Sequence, residues 1–153
     1  MKLNNFKFLC SSLILLASCN NAEISQSEVA APAPVFDLAG CYMMTISKDT
    51  AFLKLNKEGN NVSGTLEYSR LKKRDSKGEF KGVINESKIT IWYSSSVKEK
   101  AFVKQIVFRI IEDKLAEGYG DVIMKNDTAF YKYPTTLRYE DQHPFTKIPC
   151  NNF

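Results

Sequence analysis

Histidine is almost missing from this chain: His143 is the only one in 153 residues. Flanked by Gln142 and Pro144, it reads as a solvated loop residue rather than a base or a metal ligand. No G-x-S-x-G, P-loop, H-E-x-x-H or helix-opening G-x-G-x-x-G occurs, and no nucleophile is paired with a base. The sequence therefore offers no catalytic residue, metal set or cofactor motif, and a non-enzymatic role is expected. Apolar runs are also short, well below the about 20 residues needed to cross a bilayer as a helix. Strong charge is lacking too: the formal net charge is +4, too small to point to nucleic acid. What is present is an ordinary globular composition, 44% hydrophobic and 12% aromatic, which argues against disorder.

The N-terminus is distinctive. Lys2 and Lys7 charge it, no acidic residue precedes Glu23, and residues 8–17 are mainly apolar. This is the pattern of a signal peptide. The run ends in Leu16-Ala17-Ser18-Cys19, which resembles the lipobox of bacterial lipoproteins. That resemblance implies removal of residues 1–18 and acylation of Cys19. Residues 19–39 then form a lipidated, proline-containing flexible tether, and residues 40–153 form the domain. Several acyl chains give stable anchoring, so the expected state is anchored rather than spanning. The address is the cell envelope, with the absence of Asp at position 20 favouring the outer over the inner membrane by analogy with sorting signals. Without Lys2 and Lys7 the net charge falls to +2. The resemblance also implies the fate of the four cysteines: Cys10 leaves and Cys19 carries lipid. Cys41 and Cys150 remain, in an oxidising compartment. They read as a disulfide; a two-thiol metal site is the alternative, without a CxxC spacing or nearby histidine to support it.

After residue 40 the chain alternates apolar and polar residues in short runs separated by turn residues. The expected strands are 41–48, 50–57, 61–69, 78–85, 87–95, 102–111, 114–123 and 128–133. Turns at Lys48-Asp49, Gly59-Asn60, Asn85-Glu86 and Glu112-Asp113 give four hairpins with one consistent apolar face. The first places Tyr42 opposite Leu55, the second Leu53 opposite Leu66, the third Phe80 opposite Ile91 and the fourth Phe108 opposite Glu117. The pattern predicts an all-β fold, an antiparallel up-and-down meander of about eight strands closing into a barrel. Tight turns gather at one end and longer loops at the other, like a cup with a mouth. The tail from Pro134 is expected to strap the outside, where outward-facing Cys41 meets Cys150, and 135–139 is a candidate edge strand. Gly40-Cys41-Tyr42 resembles the Gly-x-Trp opening of lipocalins, with Tyr for Trp and no Thr-Asp-Tyr motif. The resemblance implies a small calycin-type barrel lipoprotein.

Polar groups that the register turns inward are the candidate ligand contacts: Glu117 between Leu115 and Tyr119 and facing Phe108, with Tyr42 on the same interior face and Lys104 opposite Asp121. In a barrel mouth such groups orient a small apolar or amphipathic ligand. The competing reading is that Glu117 bonds a core tyrosine and Lys104–Asp121 is a rim ion pair. Arg70, Lys72, Lys73 and Arg74 form a basic cluster suited to anionic headgroups or an acidic partner, or simply to a solvated loop. Trp92, Tyr93, Tyr119, Tyr131 and Tyr133 are either ligand-stacking or core aromatics. The expected partners are the membrane, a small amphipathic ligand or an envelope protein, with no nucleic acid and a monomeric domain. A structural or protein-interaction lipoprotein is the alternative function.

Overall fold

The alternation does build strands. The computed structural model describes residues 36–71, 75–97 and 100–152. Seven consecutive strands form an antiparallel meander: β1 Gly40–Ile46, β2 Asp49–Glu58, β3 Asn61–Ser69, β4 Ser76–Asn85, β5 Lys88–Val97, β6 Lys100–Ile111 and β7 Lys114–Tyr119. Four shorter strands follow: β8 Val122–Lys125, β9 Thr128–Tyr131, β10 Arg138–Tyr139 and β11 Thr146–Ile148. Residues two apart point to one face of a strand. One face of the meander therefore supplies a continuous core that includes Tyr42, Leu53, Leu66, Phe80, Ile91, Ile106, Phe108 and Leu115.

Two of the expected hairpins have the expected register, with Leu53 opposite Leu66 and Phe108 opposite Glu117. The other two are displaced. The first turn is Ser47-Lys48, so Tyr42 lies opposite Leu53 rather than Leu55. The third is Glu86-Ser87, so Phe80 lies opposite Tyr93 rather than Ile91. Moving a turn by one residue slides the pairing by two. That leaves every side chain on its own face, and apolar alternation cannot distinguish the two registers. Local turn geometry decides instead: Ser47 and Glu86 adopt φ of 58° and 54° at the start of their two-residue loops, the left-handed conformation such hairpins use.

The expected single strand 114–123 is broken. β7 leaves β6 after Phe108 and Glu117, and β9 takes the vacated edge of β6 in parallel, with Lys104 opposite Ala129. Leu137 and Tyr139 pack where a Cβ on Gly118 would sit, at 3.1 and 3.2 Å. The Tyr131 hydroxyl donates to the Gly118 carbonyl oxygen at 2.6 Å. These contacts turn the second half of β7 toward β10.

The ladders do not close the expected barrel. The sheet stays open, with β10 beside β7 at one edge and β11 beside β1 at the other. The tail has taken both edges that closure would have paired. Its two edges nevertheless meet at one point, where Leu115 and Phe145 exchange backbone hydrogen bonds of 3.0 and 2.8 Å. The tail is also more than an external strap. Phe145 is fully buried in the core, edge-to-face with Phe108 at 5.5 Å between ring centroids. Cys41 and Cys150 are disulfide-bonded, with Cα atoms 5.2 Å apart, which removes the two-thiol metal alternative. The chain enters β1 at the end of the sheet where Gly40 lies opposite Leu55, the end that also carries the Gly59-Asn60 turn.

Candidate functional site

Glu117 follows Leu115 on the inward face of β7, and the fold buries it almost completely, at 2% exposure. An isolated buried carboxylate is costly, so such a group needs partners or a proton. The Tyr68 hydroxyl on β3 donates to Glu117 Oε2 at 3.0 Å. Tyr68 in turn packs edge-on against Tyr93 and lies under the Arg70 guanidinium, 4.4 Å from its ring centroid. Tyr68, Arg70 and Glu117 border a cavity of about 350 Å³ at the end opposite the chain's entry into β1. Met44 and Ile46 of β1 line its apolar side. Asp49 and Thr50 of β2, Arg70, Lys104, Glu117 and Tyr119 make the remainder polar. Asp49 also fixes the rim, its carboxylate accepting a hydrogen bond from the Leu71 amide at 2.9 Å.

Burial pushes the Glu117 carboxyl above its ordinary value of 4.5, with the Lys104 charge, the Tyr68 hydroxyl and Arg70 opposing the rise. Burial raises the Tyr68 phenol well above its usual range, reinforced by the Glu117 charge, so Tyr68 is a permanent donor at physiological pH. Arg70 and Lys104 enter no salt bridge among the described residues. Among the described residues the buried Tyr93 hydroxyl has no hydrogen-bond partner, an arrangement uncommon enough to require a cause. The cavity thus combines a buried acid, a phenol and two cations beside a short apolar wall.

The raised Glu117 has a definite sign in stability. Between 4.5 and its raised folded value, the native state holds a proton that the unfolded state has lost. Its contribution is therefore complete below 4.5 and is lost as pH rises through the folded value. Glu117→Gln is expected to flatten this decline. Melting temperatures of the wild type and the variant across pH 4–8 check it, and parallel profiles would refute it.

Three of the expected ligand contacts come together here: Lys104, Glu117 and Tyr119. Three do not. Tyr42 is buried in the core, with its hydroxyl donating to the Leu38 carbonyl oxygen at 2.8 Å. Phe108 is equally buried, under Phe145. Asp121 is exposed and does not face Lys104, because β9 occupies that place. Of the basic cluster, Arg70 belongs to the cavity, whereas Lys72, Lys73 and Arg74 lie outside the described residues, as does Cys19. Tyr93 and Tyr131 are buried, whereas Trp92, Tyr119 and Tyr133 are exposed. His143 meets Glu140 at 3.2 Å on the surface. Tyr68 was absent from the expected set, although its inward position opposite Ala51 and its polar tip were signals in the sequence. In comparisons with known proteins, the chain matches no family model, no curated protein and no solved structure.

Proposed function

We propose that this protein is a lipid-anchored envelope lipoprotein whose folded domain binds a small amphipathic molecule at the Glu117 cavity. The observation that carries the reading is the cavity itself: a buried carboxyl and phenol, two cations that enter no salt bridge among the described residues, and the apolar Met44–Ile46 wall. Ligand pockets characteristically pair apolar lining with a few placed polar groups. Because the interior beyond Tyr68 and Glu117 is filled by side chains, the ligand is short, and its polar head matters more than a long hydrocarbon tail. The same proposal includes a lipocalin-like architecture, supported by the seven-strand meander and the junction of its edges at Leu115 and Phe145. Anchoring through Cys19 rests on the Leu16-Ala17-Ser18-Cys19 sequence.

One experiment tests both halves. Wild-type and Cys19→Ala chains are fractionated, then titrated with 1-anilinonaphthalene-8-sulfonate, a small amphipathic anion. The wild type is expected in membranes and the Cys19→Ala chain in the soluble fraction. Both should give saturable fluorescence that weakens about 10-fold when Arg70 and Lys104 are replaced by alanine, the scale of one lost charged contact. An unchanged titration in that double variant would remove the cavity reading, and membrane retention of Cys19→Ala would remove the anchor.

A second reading is favoured by one observation. Among the described residues β8 pairs only with β9, and its Val122, Ile123 and Met124 are 47%, 48% and 60% exposed. An apolar strand with a free edge suits addition of an extended segment from an envelope protein. In that case the domain is an adaptor, and anilinonaphthalene sulfonate would not saturate the cavity.

A further inference from the structure

We propose that the outer face of the sheet carries a second binding site, a groove for an uncharged saccharide built around Trp92. The groove encloses about 560 Å³ across β2 to β6, within the range of about 300–1,000 Å³ typical of small-ligand sites. It is formed by two cross-strand rows. One runs Asn56, Ser63, Lys81, Trp92 and the other Thr65, Glu79, Ser94, each member opposite the next. The short hydroxyl side chains of β3 leave a trough between Asn56 of β2 and the longer Glu79 and Lys81 of β4, and Ser94 of β5 leaves a second low point beyond β4, one strand from Val103. A second hollow of about 610 Å³ shares Asn56, Ser63 and Lys81 and extends the trough toward the Gly59-Asn60 turn.

The composition selects the ligand class. Trp92 is 39% exposed although it lies mid-strand, so a broad aromatic surface is open beside the trough. An indole presents a negative face and an N–H donor, a combination that suits a flat array of C–H bonds edged by hydroxyls. A pyranose ring has that form. Around it stand an amide, three hydroxyls, one carboxylate and one ammonium, and Glu79 and Lys81 cancel in charge. Among the described residues, neither takes part in a salt bridge. The groove therefore favours a hydroxyl-rich, neutral molecule over an anion or a hydrocarbon. Its two polar rows lie on the opposite face from the core, Gly64, Phe80 and Val103 complete its lining, and it shares no lining residue with the Glu117 cavity.

The chain contains one tryptophan, so its tryptophan fluorescence reports this groove alone. The full chain, held in a detergent without a sugar head, is titrated with triacetylchitotriose and with maltotriose. A saturable change with at least one of them is expected, with half-saturation on the order of 1 mM, about 4 kcal/mol of binding. Asn56→Ala with Glu79→Gln keeps the reporter and is expected to weaken that response at least about 5-fold, roughly the loss of one net hydrogen bond. Lys104→Ala in the other cavity should leave it unchanged. Absent or non-saturating changes with both sugars up to about 50 mM, far beyond the expected midpoint, would overturn the proposal. So would an unaltered response in the Asn56→Ala, Glu79→Gln chain.

Discussion

Phe145→Ala is expected to cost about 3–5 kcal/mol, as truncation of a fully buried phenylalanine does, and to lower the melting temperature by roughly 10–20 °C. Three losses combine at this position. The ring is fully buried in the core and its contacts disappear. The edge-to-face pairing with Phe108 is removed, a contact worth about 0.5–1.5 kcal/mol beyond area burial. A cavity then opens beneath the point where the two sheet edges meet. Chemical denaturation of the purified protein, monitored by circular dichroism, measures the change. Phe145→Leu should recover a large part of it, because it refills most of the volume. If Phe145→Ala shifts the midpoint by less than the equivalent of about 1 kcal/mol, typical of a surface substitution, the tail does not share the core.

The second large effect belongs to the disulfide. Cys41 and Cys150 are 109 residues apart in sequence, so their bond restricts the unfolded chain over nearly the whole domain. The chain-entropy treatment gives about 4.7 kcal/mol for a loop of about 100 residues, and measured losses run about 2–5. Replacing both cysteines with serine is expected to fall in that range. Cys41 is completely buried and paired with Ile148 across β1 and β11, so the double variant also leaves two hydroxyls in place of the bridge. Comparing its denaturation midpoint with that of the reduced wild type separates these contributions. Equal values assign the loss to the missing cross-link, and a lower value for the serine variant adds the cost of the hydroxyls. An oxidised wild type no more stable than either would refute the expectation.

Much of this fold was legible because period-two alternation is a strong signal where one face is buried. It located the seven meander strands and turned Tyr42, Leu53, Phe108 and Glu117 inward. It could not locate the Ser47-Lys48 and Glu86-Ser87 turns, since a slide of two residues preserves every face. Nor could it show that β7 would leave β6 at Gly118, a departure set by Leu137, Tyr139 and Tyr131 arriving from later in the chain. Asp121 was placed opposite Lys104 by continuing a ladder that these residues interrupt. Phe145 was hidden for a different reason: the four residues between Pro144 and Pro149 are too few to show a periodicity that would reveal it. The Glu117 site was partly legible, since an acid amid inward apolar neighbours stands out. Tyr68 and Arg70 required the three-dimensional meeting of β3 and β7.

The Cys41–Cys150 bond has one more consequence, for a chain that has been cut. Together with the backbone between them, the two cysteines make residues 41–150 a covalent ring. A single cleavage within it, for instance by trypsin after Arg70, linearises the ring without releasing either piece. Both remain joined through sulfur, and the core contacts between them are still formed at an effective concentration set by the cross-link rather than by dilution. Nicked protein therefore migrates as one species until a reductant is added, and the same bond makes rejoining of the halves an intramolecular event.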